Sequence, residues 1–99
     1  MDIKIQAINF EATEKLQDYV QKRVAKLAKF YGEVDRADVT LKVVKPETAM
    51  NKDASIRLAV RGNDLYAQKV ADTFEEGVDQ CADTLTRQLE KYKEKQKNR

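Results

Sequence analysis

Alternation of apolar and polar residues predicts four β-strands. Ile3, Ile5 and Ala7 lie on one side of a period-two pattern, with Lys4 and Gln6 on the other, which is typical of a half-buried strand. The same pattern recurs three times further along the chain. The predicted strands run from Ile3 to Ala7, Ala37 to Val43, Ser55 to Val60 and Leu65 to Ala71.

The connections between these strands carry turn-forming residues. Residues 45–53 are polar and contain the only proline, so a loop is predicted there, and Gly62-Asn63-Asp64 indicates a hairpin turn. The facing of the fourth strand stays open. Leu65 and Ala67 favour one register and Tyr66 and Val70 the other, and a β-bulge would reconcile the two.

Apolar residues at spacings of three and four predict two amphipathic helices. The first runs from about residue 14 to about residue 31, with Thr13 as N-cap and Gly32 at its end. Its apolar stripe consists of Leu16, Val20, Val24, Leu27 and Tyr31, with Tyr19 and Phe30 expected beside it in the core.

The second helix follows the fourth strand. Asp72 and Glu75 have the spacing of a capping box, which predicts the N-cap at Asp72. Its acidic start and basic end complement the helix dipole, so part of this charge pattern has a purely structural cause. The apolar stripe consists of Phe74, Val78, Cys81, Leu85, Leu89 and Tyr92.

The predicted order is β-α-β-β-β-α, in a single domain over residues 1–99. Each helix has one apolar stripe and the strands alternate. Both helices are therefore expected to cover one face of a four-stranded antiparallel sheet, which gives an α+β two-layer sandwich similar to a double-stranded-RNA-binding domain.

Composition excludes several chemistries. The 99 residues include no histidine, one cysteine and three scattered glycines, which rules out a Cys–His nucleophile, a zinc cluster and a glycine-rich phosphate loop. Cys81 lies on an apolar stripe and is expected to be a buried hydrophobe. A catalytic pair of carboxylates stays open, since acidic residues are plentiful, but solvated surface charge is the favoured interpretation. We expect no enzyme activity, cofactor, metal or small-molecule substrate. With no membrane-spanning stretch and no leader, a cytoplasmic monomer is expected.

Basic residues lie off the apolar stripes of both helices. The net charge is only +2, so the total does not indicate nucleic acid, but binding follows the local field. Two packed helices would present both basic rows on one surface, suited to phosphate backbones. These rows are Lys22, Lys26 and Lys29 on the first helix, and Arg87, Lys91 and Lys95 on the second.

A second interpretation of the basic rows is that they serve solvation alone, as basic residues on the outer side of an amphipathic helix usually do. Glu90 and Glu94 dilute the row on the second helix. Charge pattern alone therefore leaves RNA binding and a soluble domain of another function both open.

Three motifs carry a resemblance to a known family. Residues 13–31 read TEKLQDYVQKRVAKLAKFY and residues 85–95 read LTRQLEKYKEK, and between them Asp53-Ala54-Ser55-Ile56 is similar to the motif that opens the third strand in a known family. In this order and spacing they resemble the short members of the ribosome hibernation-promoting factor and protein Y family. One departure is Asp72-Thr73-Phe74, where family members commonly have Asp-Met-Tyr.

The resemblance implies a ribosome-binding domain that inhibits translation during stress or stationary phase. Such proteins bind the small ribosomal subunit and its rRNA in the channel for mRNA and tRNA. The alternative is a protein-interaction module that modulates transcription, as the family's older sigma-54 label suggests. The RNA-binding residues implied by the match are Lys22, Arg23, Lys26, Lys29, Arg87, Lys91, Lys93 and Lys95.

Overall fold

A computed structural model describes residues 2–30, 34–44, 50–60 and 62–97, with side chains omitted at 30 and 93–97. The predicted order of elements is confirmed, and the fold is α+β. Tyr31, Gly32 and most of the predicted 45–53 loop lie outside the described residues. The elements are β1 (Asp2–Ile8), α1 (Glu14–Phe30), β2 (Val34–Val43), β3 (Lys52–Val60), β4 (Asn63–Ala71) and α2 (Phe74–Lys97).

The sheet is mixed, with strand order β1-β2-β3-β4. β2, β3 and β4 are antiparallel neighbours, but β1 is parallel to β2, with Asp2 opposite Arg36 and Ile8 opposite Lys42. The prediction of an all-antiparallel sheet is therefore wrong for β1. The two strands are parallel because α1 carries the chain back to the end of the sheet where β1 began, so β2 runs in the same direction as β1.

Both helices pack on one face of this sheet, which confirms the two-layer arrangement. The inward residues of the central strands, such as Leu41 and Ile56, are fully buried, and all described members of the α1 stripe are buried. On α2, every stripe residue from Phe74 to Leu89 is buried, and Tyr92 packs partly buried against the same core. Burial of two apolar stripes on one sheet face is the main stabilising contribution expected for this fold.

β4 begins two residues earlier than predicted, and its facing is now defined. Leu65 and Ala67 point into the core, whereas Tyr66 and Val70 are exposed. The pairing with β3 runs without a register shift from Val60 opposite Asn63 to the other end of the strand. β4 therefore has no bulge along this pairing, and it adopts the facing in which Leu65 and Ala67 are buried.

The two helix starts differ in how well they were predicted. The Thr13 hydroxyl accepts a 3.1 Å hydrogen bond from the Leu16 amide, which confirms the N-cap of α1. On α2 the predicted cap is wrong by one residue. Thr73 accepts from the Glu76 amide at 3.1 Å, because the Asp72 carboxylate is used elsewhere and accepts from the Met50 amide at 2.7 Å.

The facing of α2 predicts that substitutions on its two sides differ in their effect on stability. Leu89 is fully buried, so Leu89→Ala should lower the free energy of unfolding by about 2–5 kcal/mol. Lys91 is exposed, and Lys91→Ala should change it by about 0.5 kcal/mol or less. Urea unfolding followed by circular dichroism measures both. Equal losses in the two variants would contradict the assigned facing.

Candidate nucleic-acid interface

The predicted cations of α1 lie on its outer side. Val20 and Val24 are fully buried on the inner side, and residues two positions further along project from the opposite side of the helix, toward solvent. None of these lysines forms an ion pair with another side chain that the structure describes. The exposed α1 cations are Lys22, Lys26 and Lys29.

α2 presents a second set of cations. Arg87 and Lys91 are exposed, while Leu85 and Leu89 on the opposite side are fully buried. Lys93 and Lys95 lie in the last turns of α2, but their side chains are outside those described. The helices contact each other on the same sheet face, so Arg87 and Lys91 share one layer of the molecule with the cations of α1.

Arg23 differs from the other predicted RNA-binding residues. Its side chain is 27% exposed and lies between the helices, where Nε donates to Asp79 at 3.1 Å and a terminal nitrogen donates to Asp83 at 3.2 Å. The Tyr19 hydroxyl also donates its one hydrogen to Asp79, with its oxygen 2.8 Å from both carboxylate oxygens. In this structure, the guanidinium of Arg23 is bound to carboxylates.

These four residues, Tyr19, Arg23, Asp79 and Asp83, form what we call the interhelix cluster. The prediction that Tyr19 belongs to the core is wrong, since 36% of it is exposed and its hydroxyl binds Asp79. Asp79 and Asp83 were not predicted to matter. A signal was present in the sequence: Tyr19 and Arg23 are four residues apart on one helix, as are Asp79 and Asp83 on the other.

A cleft of about 510 Å³ lies over the interhelix cluster. Lys22 and Lys26 of α1 line it together with the cluster residues, so three cations of one helix face two carboxylates of the other. The hydrogen bond to Asp79, together with partial desolvation and the charge of that carboxylate, raises the pKa of the Tyr19 hydroxyl above its ordinary value, so the hydroxyl holds more firmly the proton that it donates to Asp79. The cleft can accept an anion at its lysines, but not next to the aspartates without repulsion.

The opposite face of the sheet is open and has a different character. Arg57 lies over the Tyr66 ring, 5.3 Å from its centroid, and also approaches Asp64 at 3.9 Å. Arg36 is likewise paired with Asp38, at 3.3 Å. Arg36 and Arg57 of this face are therefore paired, whereas the exposed lysines described on the helical layer form no ion pair.

The remaining candidate chemistries are limited in the described part of the chain. It contains no group of three or more His, Cys, Asp or Glu residues placed to hold a metal ion. None of its helices is both long enough and apolar enough to span a bilayer. Cys81 is fully buried, as predicted, and its thiol donates to the Ala54 carbonyl oxygen at 3.3 Å.

Known proteins are similar to this chain in sequence and in fold. A ribosome hibernation promoting factor of Escherichia coli strain K12 is 32% identical over 97 residues, which is 98% of each chain. A ribosomal subunit interface protein from Coxiella burnetii superposes with a TM-score of 0.83 at 19% identity, covering 94% of this chain and 98% of that one. The Thermus thermophilus Protein Y N-terminal domain gives 0.77 at 24% identity, with 93% and 99% covered.

Fold and helical charge together define the class of protein, a two-layer α+β domain with exposed cations on its helical layer. The family model described as Sigma 54 modulation protein / S30EA ribosomal protein matches residues 3–97. The chain belongs to this family, and the resemblance drawn from its three motifs is confirmed. Nothing in these comparisons tests the individual RNA-binding residues, which stay predictions.

The environment of Cys81 predicts low thiol reactivity. Burial raises its pKa to about 11, so at pH 8 only about one thiol in a thousand is ionised, against about a quarter at an ordinary pKa near 8.5. Reaction with a disulfide reagent should be slower in the native chain than in urea by about two orders of magnitude or more, because the thiol is both un-ionised and inaccessible. The unfolded chain is the control, and equal rates would contradict the burial of this side chain.

Proposed function

We propose that this protein is a ribosome hibernation factor, which binds the small ribosomal subunit in the channel for mRNA and tRNA and inhibits translation under stress or in stationary phase. The observation that carries the proposal is the helical layer, where exposed cations of α1 and α2 lie together on a domain of this family. Its relatives are named ribosome hibernation promoting factors, and a structural neighbour is named a ribosomal subunit interface protein.

The mechanism proposed is steric occlusion held by phosphate contacts. Lysine and arginine side chains that neutralise backbone phosphates release condensed counterions, and each such contact adds to the affinity. A rigid helical layer can follow the shape of folded rRNA without reading its bases. Occupying the channel requires no catalytic residue, so a non-enzymatic role and a cytoplasmic location follow from the proposal. The exposed contacts proposed are Lys22, Lys26, Lys29, Arg87 and Lys91.

A second candidate function is a protein-interaction module that modulates transcription. The feature that favours it is the open sheet face, where Tyr66 and Val70 are exposed beside paired charges. Such a surface suits a protein partner better than a phosphate backbone, because its arginines are already neutralised. The family's description includes sigma 54 modulation as well as a ribosomal protein.

Sedimentation with purified ribosomes separates the two functions. We expect the protein to pellet with small subunits and with whole ribosomes at low salt, and to be released as salt rises. Addition of mRNA and tRNA should compete with it. A protein that stays in the supernatant at low salt, yet brings a stoichiometric protein partner from nuclease-treated extract, would instead support the transcriptional module.

The salt dependence of ribosome binding tests the helical cations directly. Changing Arg87 and Lys91 together to Gln should remove two phosphate contacts and lower the slope of log affinity against log salt by about 1.4–1.8. The matched control changes Lys4 and Lys42 to Gln, which removes the same charge from exposed positions on the sheet. The control slope should stay near that of the unmodified protein, and equal losses in both variants would contradict the proposed surface.

A further inference from the structure

Arg23 lies among the predicted RNA-binding cations of α1, but unlike Lys22, Lys26 and Lys29 it forms ion pairs with described side chains. Lys22 and Lys26 on either side of it are exposed and make no ion pair with a described side chain. Arg23 spans two carboxylates of α2, Asp79 and Asp83, through two different guanidinium nitrogens. A planar guanidinium that binds two oxygens in this way uses the same donors with which arginine binds a phosphate.

The two carboxylates are not held equally. Asp79 is fixed by Tyr19 as well as by Arg23, and its side chain is 44% exposed. Asp83 contacts Arg23 through one bond of 3.2 Å, and 64% of its side chain is exposed. A phosphate can therefore displace Asp83 from the outer end of the guanidinium, while Asp79 and Tyr19 keep the inner end in place.

We propose that Asp79 and Asp83 are specificity-determining residues, which hold Arg23 in the free protein so that a phosphate on a matching RNA surface replaces Asp83 there more readily than a phosphate on an arbitrary RNA does. The inference rests on the proposed function. It adds an intramolecular competitor to the site, since a carboxylate and a phosphate oxygen seek the same donors.

Selectivity follows from effective concentration. A phosphate on an arbitrary RNA meets Arg23 at its concentration in solution and competes poorly with carboxylates tethered on the next helix. A phosphate on a rigid rRNA surface, already held by Lys22, Lys26 and the cations of α2, is presented to Arg23 at a far higher effective concentration. Competition by the two aspartates therefore weakens non-specific binding more than ribosome binding.

The size of the effect follows from the ion pairs. Partly exposed pairs of this kind have coupling energies of about 0.2–1 kcal/mol, which corresponds to roughly a 1.4- to 5-fold change in affinity. Asp83→Asn and Asp79→Asn keep the shape of each side chain but remove the negative charge that holds Arg23. Each should therefore raise affinity for a non-specific RNA by roughly that factor, with the native fold kept.

The experiment measures binding of the full chain to two probes at one salt concentration. The first is a fluorescent 20-base-pair RNA duplex of arbitrary sequence, followed by anisotropy, and the second is purified small subunits. The asparagine variants should bind the duplex more tightly while their affinity for the subunit changes less, so the ratio of the two affinities falls. Circular dichroism and the urea midpoint confirm that each variant is folded.

A double-mutant cycle decides whether the effect passes through Arg23. In an Arg23→Gln background, the gain in duplex affinity from Asp83→Asn should shrink to the small effect of removing one negative charge. A matched charge control is Glu90→Gln, on the exposed side of α2 outside the cluster, whose effect should be the same with or without Arg23.

Other outcomes overturn the inference. An equal gain from Asp83→Asn in both backgrounds would show that the aspartates act only through the general field. Unchanged duplex binding with weaker subunit binding would show that they position Arg23 for the ribosome. A wild-type chain that does not bind subunits at all would overturn the proposed function, whereas the duplex measurements and the cycle would still report on the cluster.

Discussion

Burial of two helical stripes on one face of a four-stranded sheet constrains everything else in this domain. Once the stripes of α1 and α2 face inward, their polar sides must face solvent on the same side of the molecule. Close approach of α2 depends on Gly77, since a β-carbon there would lie 3.1 Å from that of Ala54 on β3. The charged surface is therefore a consequence of how the core packs, and its cations gain their common orientation from apolar contacts.

Much of this fold could be predicted because periodicity reports burial directly. The stripe from Leu16 to Leu27 and that from Phe74 to Leu89 are buried as their spacing predicted. Strand direction could not be predicted in the same way, since alternation in β1 is the same for a parallel and an antiparallel neighbour. The cap of α2 shifted to Thr73 because Asp72 binds Met50, a contact 22 residues away that no local pattern encodes.

In the candidate site, too, the features set by one helix could be predicted and the features set by contact between the helices could not. Exposure of Lys22, Lys26 and Lys91 follows from the helical repeat alone, and the structure places them as predicted. The state of Arg23 depends on where α1 meets α2, and that contact is set by tertiary packing rather than by either helix. A pattern confined to one helix assigns Arg23 and Lys22 the same role, although one is bound by two carboxylates and the other is exposed.

Positive and negative side chains are nearly equal in number in this protein, but they lie in different places. Opposite charges balance almost completely over the chain, with a net charge of +2, yet the described acids that pair with helical cations are confined to the seam between α1 and α2. Pairs on the open sheet face neutralise Arg36 and Arg57. The lysines of the helical layer are left to define the local field, so a nearly neutral protein can still present a cationic surface. At the seam, the carboxylates both join the helices and compete for Arg23, which couples the packing of this surface to the partner that it accepts.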